Sequence, residues 1–154
     1  PVYVRLARAA FPVIYEDCDF ELGEAEVLRE GSDVSIFAMG LMVANSLDAA
    51  DILESEGISA EVVNVSTVKP LDTETVLDSV RKTGAAVTAE EHNVIGGLGS
   101  AIAETVGEGN PVPLKRIGVE DQYGESGSAY ELLEHYGLTA EDIAEKTKDL
   151  LERK

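Results

Sequence analysis

The sequence is short of several residues from which sites and folds are built. Cys18 is its only cysteine, which excludes an intrachain disulfide and any zinc site made of several thiolates. Neither histidine is near it in sequence, so its simplest role is that of a small, partly buried apolar side chain. No apolar run approaches the ~20 residues that span a bilayer. Basic residues are scarce as well: twelve Lys and Arg stand against thirty Asp and Glu, a formal net charge of -18. Such a surface repels a nucleic-acid backbone or an anionic membrane, so neither is an expected partner. General solubility and a salt-rich habitat both account for the surplus, because charge alone speaks to solvation rather than fold. No charged-then-apolar leader precedes Pro1, and a reducing cytoplasm is the expected compartment.

What is present reads as one domain of ordinary length, long enough at 154 residues to bury a core without staples. The opening VYVRL is β-prone and lacks an initiator methionine; missing upstream polypeptide and removal of Met before Pro1 both fit. Residues 7–21 lose periodicity, and Pro12 denies them a helix, so they read as a connector. A short strand follows over 25–29, then a tight turn into VSIFAMG, whose continuous apolarity marks a central strand buried on both faces. After Gly40 the apolar spacing turns helical through Val43, Leu47, Ala50 and Leu53, and Gly57 supplies a stop. AEVVNVS is a second buried strand. Asp72 is a candidate N-cap for a helix that Gly84 ends. AAVTAEE, PLKRIGV and two closing helices complete the alternation. The class expected is α/β: three layers, a mostly parallel sheet with one antiparallel edge strand, and helices on both faces. The strand over 25–29 is expected to pair antiparallel with its neighbour in sequence.

The stretch AEEHNVIGGLGSA, residues 89–101, carries the most chemistry-bearing groups. A dinucleotide fingerprint requires three glycines at a strand-to-helix turn; Gly97 and Gly99 fill the first two places, but Ile102 stands in the third. Glu90 and Glu91 also put like charge where phosphates would sit. Glu90 and His92 offer at best two metal ligands, fewer than a catalytic zinc takes. As an acid/base pair they could hold an imidazole near neutrality, or His92 could donate locally and pin the strand end. GESGS, residues 124–128, fails the nucleophile-elbow pattern at Ser128 and has no strand leading into it. It reads better as a helix start, with Ser126 or Ser128 as N-cap and Glu131 completing a capping box.

VTAEEHNVIGGLGSAIAE followed by KRIGVEDQYGESGSAYELLEHYGLTAEDI resembles the C-terminal domain of transketolases. In that family a Glu-Glu/Asp-His strand end leads into Gly-Gly-x-Gly, and an Asp-x-Tyr/Phe-Gly-x-Ser-Gly turn precedes the last helices. The upstream segment from LREGSDVSIFAMG to the Lys-Pro-Leu-Asp turn at 69–72 is similar to the same domain's opening. The likeness covers residues 24–151, and it implies two parts: residues 1–23 as the end of a pyrimidine-binding domain with its connector, and 24–154 as the C-terminal domain. It implies that Glu90, His92, Gly96, Gly97, Gly99, Asp121, Ser126 and Gly127 form a structural motif and that no residue here is catalytic.

Arg8 matches in position the arginine that grips the sugar phosphate, and Arg5 a second basic residue three places earlier. The complete enzyme would use thiamine diphosphate and Mg, neither bound by this chain. Its partners would be the pyrophosphate- and pyrimidine-binding domains of the same enzyme, in the same chain or another, in a homo-oligomer. Deoxyxylulose-phosphate synthases and keto-acid dehydrogenase decarboxylase components carry the same domain, and a stand-alone binding or assembly module is a further alternative.

Overall fold

A computed structural model describes residues 1–6, 10–16 and 20–154 of the chain. Arg8 and Cys18 lie outside the described residues. The elements run β1 (Glu26–Arg29), β2 (Val34–Ala38), α1 (Met42–Ser55), β3 (Ala60–Asn64), α2 (Thr73–Thr83), β4 (Ala86–Asn93), α3 (Leu98–Gly109), β5 (Leu114–Val119), α4 (Ala129–His135) and α5 (Ala140–Leu151). The strands form one sheet in the order β1-β3-β2-β4-β5. Strands β2 to β5 are parallel and β1 is antiparallel, so the architecture is the expected three-layer α/β one.

All five residues of β2 are buried, and alternation along the strand feeds two cores. Val34, Ile36 and Ala38 face Leu53, Ile143 and Ala144 beneath α1 and α5. Phe37 turns the other way and joins Val63, Val76, Val80, Ile102 and Val106 beneath α2 and α3. Among the described residues no helix is long and apolar enough to cross a membrane.

The position of β1 departs from expectation. It pairs with β3, Glu26 opposite Asn64 and Val27 opposite Val63, and not with β2, its neighbour in sequence. Both edges of β2 are already taken by parallel partners, β3 and β4. The connection from β1 must therefore cross the start of β3. It does so at Gly31, where an added Cβ would overlap the backbone nitrogen of Glu61 and lie 2.7 Å from the Ala60 carbonyl oxygen. The crossing is stitched down by the Ser32 and Asp33 amides, which donate to the Ser59 carbonyl at 3.1 and 2.9 Å, and by the Ser59 amide, which donates to the Asp33 carboxylate at 2.7 Å.

A polar cluster lies under α2. The Glu61 carboxylate, fully buried on β3, accepts from the Ser79 hydroxyl and from the Lys82 ammonium, which also reaches Glu30 at 2.7 Å. Glu30 and Glu61 together hold the Lys82 ammonium above its ordinary pKa. Ser35 and Thr83 hydroxyls complete the cluster at 2.7 Å from each other.

Asp72 caps α2 as expected, accepting from the Thr75 amide at 3.1 Å, and Gly84 ends it in the left-handed conformation at φ +71°. The same carboxylate accepts from the Ala25 amide at 3.0 Å and so fixes the entry to β1. Burial pulls its pKa upward, but these amide bonds and the Thr75 hydroxyl outweigh that and leave it below the usual aspartate value. Because the folded value is the lower one, the stabilisation is complete above the unfolded pKa of about 3.9 and fades as pH falls through the folded value. Asp72→Ala is expected to cost roughly 1–2 kcal/mol at neutral pH and to flatten the acid limb of a stability-against-pH curve. Urea titrations between pH 2 and 7 check both.

The sequence offers the opening VYVRL as a strand, yet residues 1–6 form none and stand exposed, with Val2, Tyr3 and Leu6 each more than four-fifths accessible. A β-prone run needs a neighbouring ladder, and among the described residues none is offered to it.

Candidate functional site

Strand order reverses between β2 and β4: the chain leaves β2 toward β3 on one side and comes back to β4 on the other. In open α/β sheets the crevice beyond the carboxyl ends of two such strands is where ligands bind. The segment from Glu90 to Ser100 occupies this place, at the end of β4 and the start of α3.

Glu90 is fully buried and points at the first turn of α3. Its Oε2 accepts from the Leu98 amide at 2.9 Å and its Oε1 from the Gly99 amide at 2.8 Å. Two of the amides that a helix N-terminus leaves unpaired are thereby satisfied, with a negative charge at the positive end of the dipole. Such a cradle would otherwise hold a phosphate. Here the protein fills it from within.

Glycines make the close approach possible. A Cβ on Gly97 would overlap Glu90 Oε2 and lie 2.7 Å from the carboxyl carbon. One on Gly99 would meet the Thr88 hydroxyl at 2.8 Å and the Arg116 stem at 2.9 Å. Gly96 adopts φ +79°, and its amide donates to the Ser100 hydroxyl at 2.8 Å.

Sequence alternation places Glu90 and His92 on one face of the strand, with Glu91 opposite. The structure separates Glu90 from His92 instead. The ladder between β4 and β5 slips after Ala89: Ala89 faces Ile117, but the next pair is Asn93 with Val119, so β4 carries extra residues there. A bulge of this kind re-aims side chains. Glu91 and His92 consequently line one cavity of about 730 Å³, with Leu41, Leu132, Leu138 and Arg5 among its walls, while Glu90 faces α3. No hydrogen bond joins the His92 imidazole to any described residue.

The remaining motif residues lie in the segment between β5 and α4. Asp121 takes φ +46°, and its carboxylate accepts from the Asn93 side chain at 3.0 Å. Ser126 is exposed, and a Cβ on Gly127 would come 3.2 Å from Leu132. Ser128 caps α4 in a capping box with Glu131, whose carboxylate is held below its usual pKa by the Ser128 hydroxyl and amide.

Sequence reasoning missed three supports of this region. Asn93 also accepts from the Ile95 amide at 2.8 Å, Arg116 donates to the Val94 carbonyl at 2.8 Å, and Gly118 leaves room for the His92 carbonyl, which an added Cβ would approach to 2.8 Å. A glycine inside a strand is a signal of close backbone approach, and Gly118 carried it. Among the described residues no group of three or more His, Cys, Asp or Glu side chains could hold a metal ion.

Comparison with known proteins places the geometry. Residues 23–143 match the family model described as "Transketolase, C-terminal domain". A relative from Clostridium sp. (strain MSTE9), the 6-deoxy-6-sulfo-D-fructose transketolase subunit SqwH, is 55% identical over 155 residues, which cover 100% of this chain and 48% of the relative. A 1-deoxy-D-xylulose-5-phosphate synthase from Heliobacterium modesticaldum is 48% identical over 154 residues, 97% of this chain and 24% of the synthase. A solved structure described as "Split gene transketolase, inactive beta4 tetramer" superposes with a TM-score of 0.91 at 49% identity, over 94% of this chain and 48% of that one. The chain thus spans about half the length, or less, of the proteins it matches.

Proposed function

Because this chain belongs to the family of transketolase C-terminal domains, we infer that it is the supporting part of an enzyme that moves a two-carbon ketol unit between sugar phosphates. In that enzyme thiamine diphosphate supplies the carbanion-stabilising chemistry. The observation that carries this reading is the Glu90 carboxylate. It fills the cradle at the strand-to-helix turn, so these residues do not fit the cofactor's diphosphate, and no step of the reaction is assigned to them.

The metal and cofactor are then held by polypeptide outside this chain, the pyrophosphate- and pyrimidine-binding domains. The exposed apolar residues of the opening segment, Val2, Tyr3, Val4 and Leu6, are the surface that those domains would cover. Assembly into a homo-oligomer fits the same surface. Arg8 is assigned to the phosphate of the sugar substrate, since a guanidinium stays charged and offers a planar fork to phosphate oxygens.

The test is reconstitution. This chain alone is expected to give no ketol transfer, and transfer is expected only when it is joined to polypeptide carrying the other two domains, with thiamine diphosphate and Mg. In that assembly Arg8→Ala should raise KM for the phosphorylated substrate by about tenfold or more. Turnover by the isolated chain that His92→Ala abolishes without unfolding would overturn the reading.

The 48% identity to the synthase favours one second reading, the same domain in a deoxyxylulose-phosphate synthase. Formation of 1-deoxy-D-xylulose 5-phosphate by the reconstituted enzyme, in place of ketol transfer between two sugar phosphates, would select it.

A further inference from the structure

Large apolar side chains that stand exposed are not scattered over the described surface. They fall within the first 27 residues and at three positions beyond, Ile95, Tyr123 and Tyr130, which are 63%, 98% and 63% accessible. Ile95 lies just after β4, Tyr123 between β5 and α4, and Tyr130 in the first turn of α4. Because β4 and β5 run parallel, all three lie beyond the carboxyl end of the sheet. The opening segment reaches the same end: the Tyr130 hydroxyl donates to the Ala10 carbonyl at 3.3 Å, and Phe11 shares a cavity wall with Ala129 and Leu132. The exposed apolar surface is therefore gathered, and a gathered apolar surface marks an interaction site where single residues do not.

The loop is held in shape without being buried. Every residue from Glu120 to Glu131 is exposed, yet the Tyr136 hydroxyl accepts from the Glu125 amide at 3.0 Å and donates to the Tyr123 carbonyl at 3.2 Å. The Asn93 side chain ties the two loops together, accepting from the Ile95 amide and donating to Asp121. A loop fixed in advance loses little freedom when a partner covers it. Tyrosine is also among the side chains that carry most of the binding energy at interfaces.

We propose that Ile95, Tyr123 and Tyr130 form a docking surface, continuous with the opening segment, for the polypeptide carrying the other two domains; the proposal rests on the assembly inferred above. Charge selects this occupant over a second copy. The stretch from Glu120 to Glu134 holds five carboxylates and no Lys or Arg, and two copies would set these against each other. The matching surface offers apolar sockets to Ile95 and Tyr123, with Lys or Arg around them.

The assembly is reconstituted from this chain and the polypeptide carrying the other two domains, and its affinity is read by sedimentation velocity. Tyr123→Ala and Ile95→Asp are each expected to weaken it at least tenfold, with circular dichroism confirming an intact fold. Tyr136→Phe keeps the Tyr123 ring but frees the loop, and should weaken it about threefold. Glu108→Ala, exposed at the far end of α3, should change nothing. Raising salt from about 0.05 to 0.5 M should weaken the parent assembly as charges around the sockets are screened. A parent that assembles while Tyr123→Ala and Ile95→Asp bind as tightly, or an assembly that salt does not weaken, would overturn the proposal and leave the enzyme reading standing. A parent that does not assemble at all would overturn the enzyme reading, and the proposal with it. Self-association of this chain that Tyr123→Ala abolishes would give the face to a second copy, which also overturns the proposal.

Discussion

Gly31→Ala is expected to cost the fold about 4 kcal/mol or more, near the upper end of single-residue effects. The reason is spatial: an added Cβ would overlap the backbone of Ala60 and Glu61. Side chains can rotate away from an intruder, whereas two backbones joined by ladder bonds must separate. Moving the 30–33 connection outward would break the Ser32, Asp33 and Ser59 bonds that pin it and weaken the pairing of β1 with β3. For a chain of this size the loss corresponds to a fall in Tm of roughly 8–15 °C. Gly107→Ala is the control. It sits inside α3 with open space around it and should gain about 0.5–1 kcal/mol, as alanine does in a helix interior. A Gly31→Ala protein within 1 kcal/mol of the parent by urea unfolding would show that the crossing yields far more easily than its geometry implies.

The second large effect lies at the end of β4. Glu90→Ala removes the acceptor for two buried amides, Leu98 and Gly99, and is expected to cost about 3–5 kcal/mol, since each donor loses its charged partner. Gly97→Ala should cost nearly as much by a different route, because its methyl takes the space of Glu90 Oε2 and expels the carboxylate. The two changes destroy one interaction, so the double variant should fall short of the summed losses by about 2 kcal/mol. Inorganic phosphate gives a second readout. It should raise the Tm of Glu90→Gly, whose helix terminus is then open to an anion, and leave the parent unmoved. Strict additivity together with a phosphate-insensitive Glu90→Gly would remove the carboxylate from the role given to it here.

The sequence made the elements legible where local chemistry decides them. VSIFA reads as a doubly buried strand because no polar residue but Ser35 interrupts it, and the cluster of Ser79 and Thr83 hydroxyls near Ser35 explains even that one. Asp72, Gly84 and the Ser128 to Glu131 box mark helix ends because capping is settled within a few residues. Partners chosen across the sheet were not legible. A short turn suggests a hairpin, and nothing local to residues 25–33 records that β2 already has two neighbours. The bulge in β4 was hidden for the same reason, since it exists only relative to β5. That slip separates Glu90 from His92 and sends Glu91 into the cavity, so the chemistry of this corner depends on register more than on composition.

The filled cradle has a consequence for supply. A site that waits for a dissolved anion is occupied only as far as concentration and affinity permit, and its contribution to stability varies with both. Glu90 is delivered by its own strand, so occupancy is set when the sheet closes and no diffusing species can be limiting. This corner of the protein is therefore assembled before any nutrient or coenzyme arrives and keeps its shape when they run out.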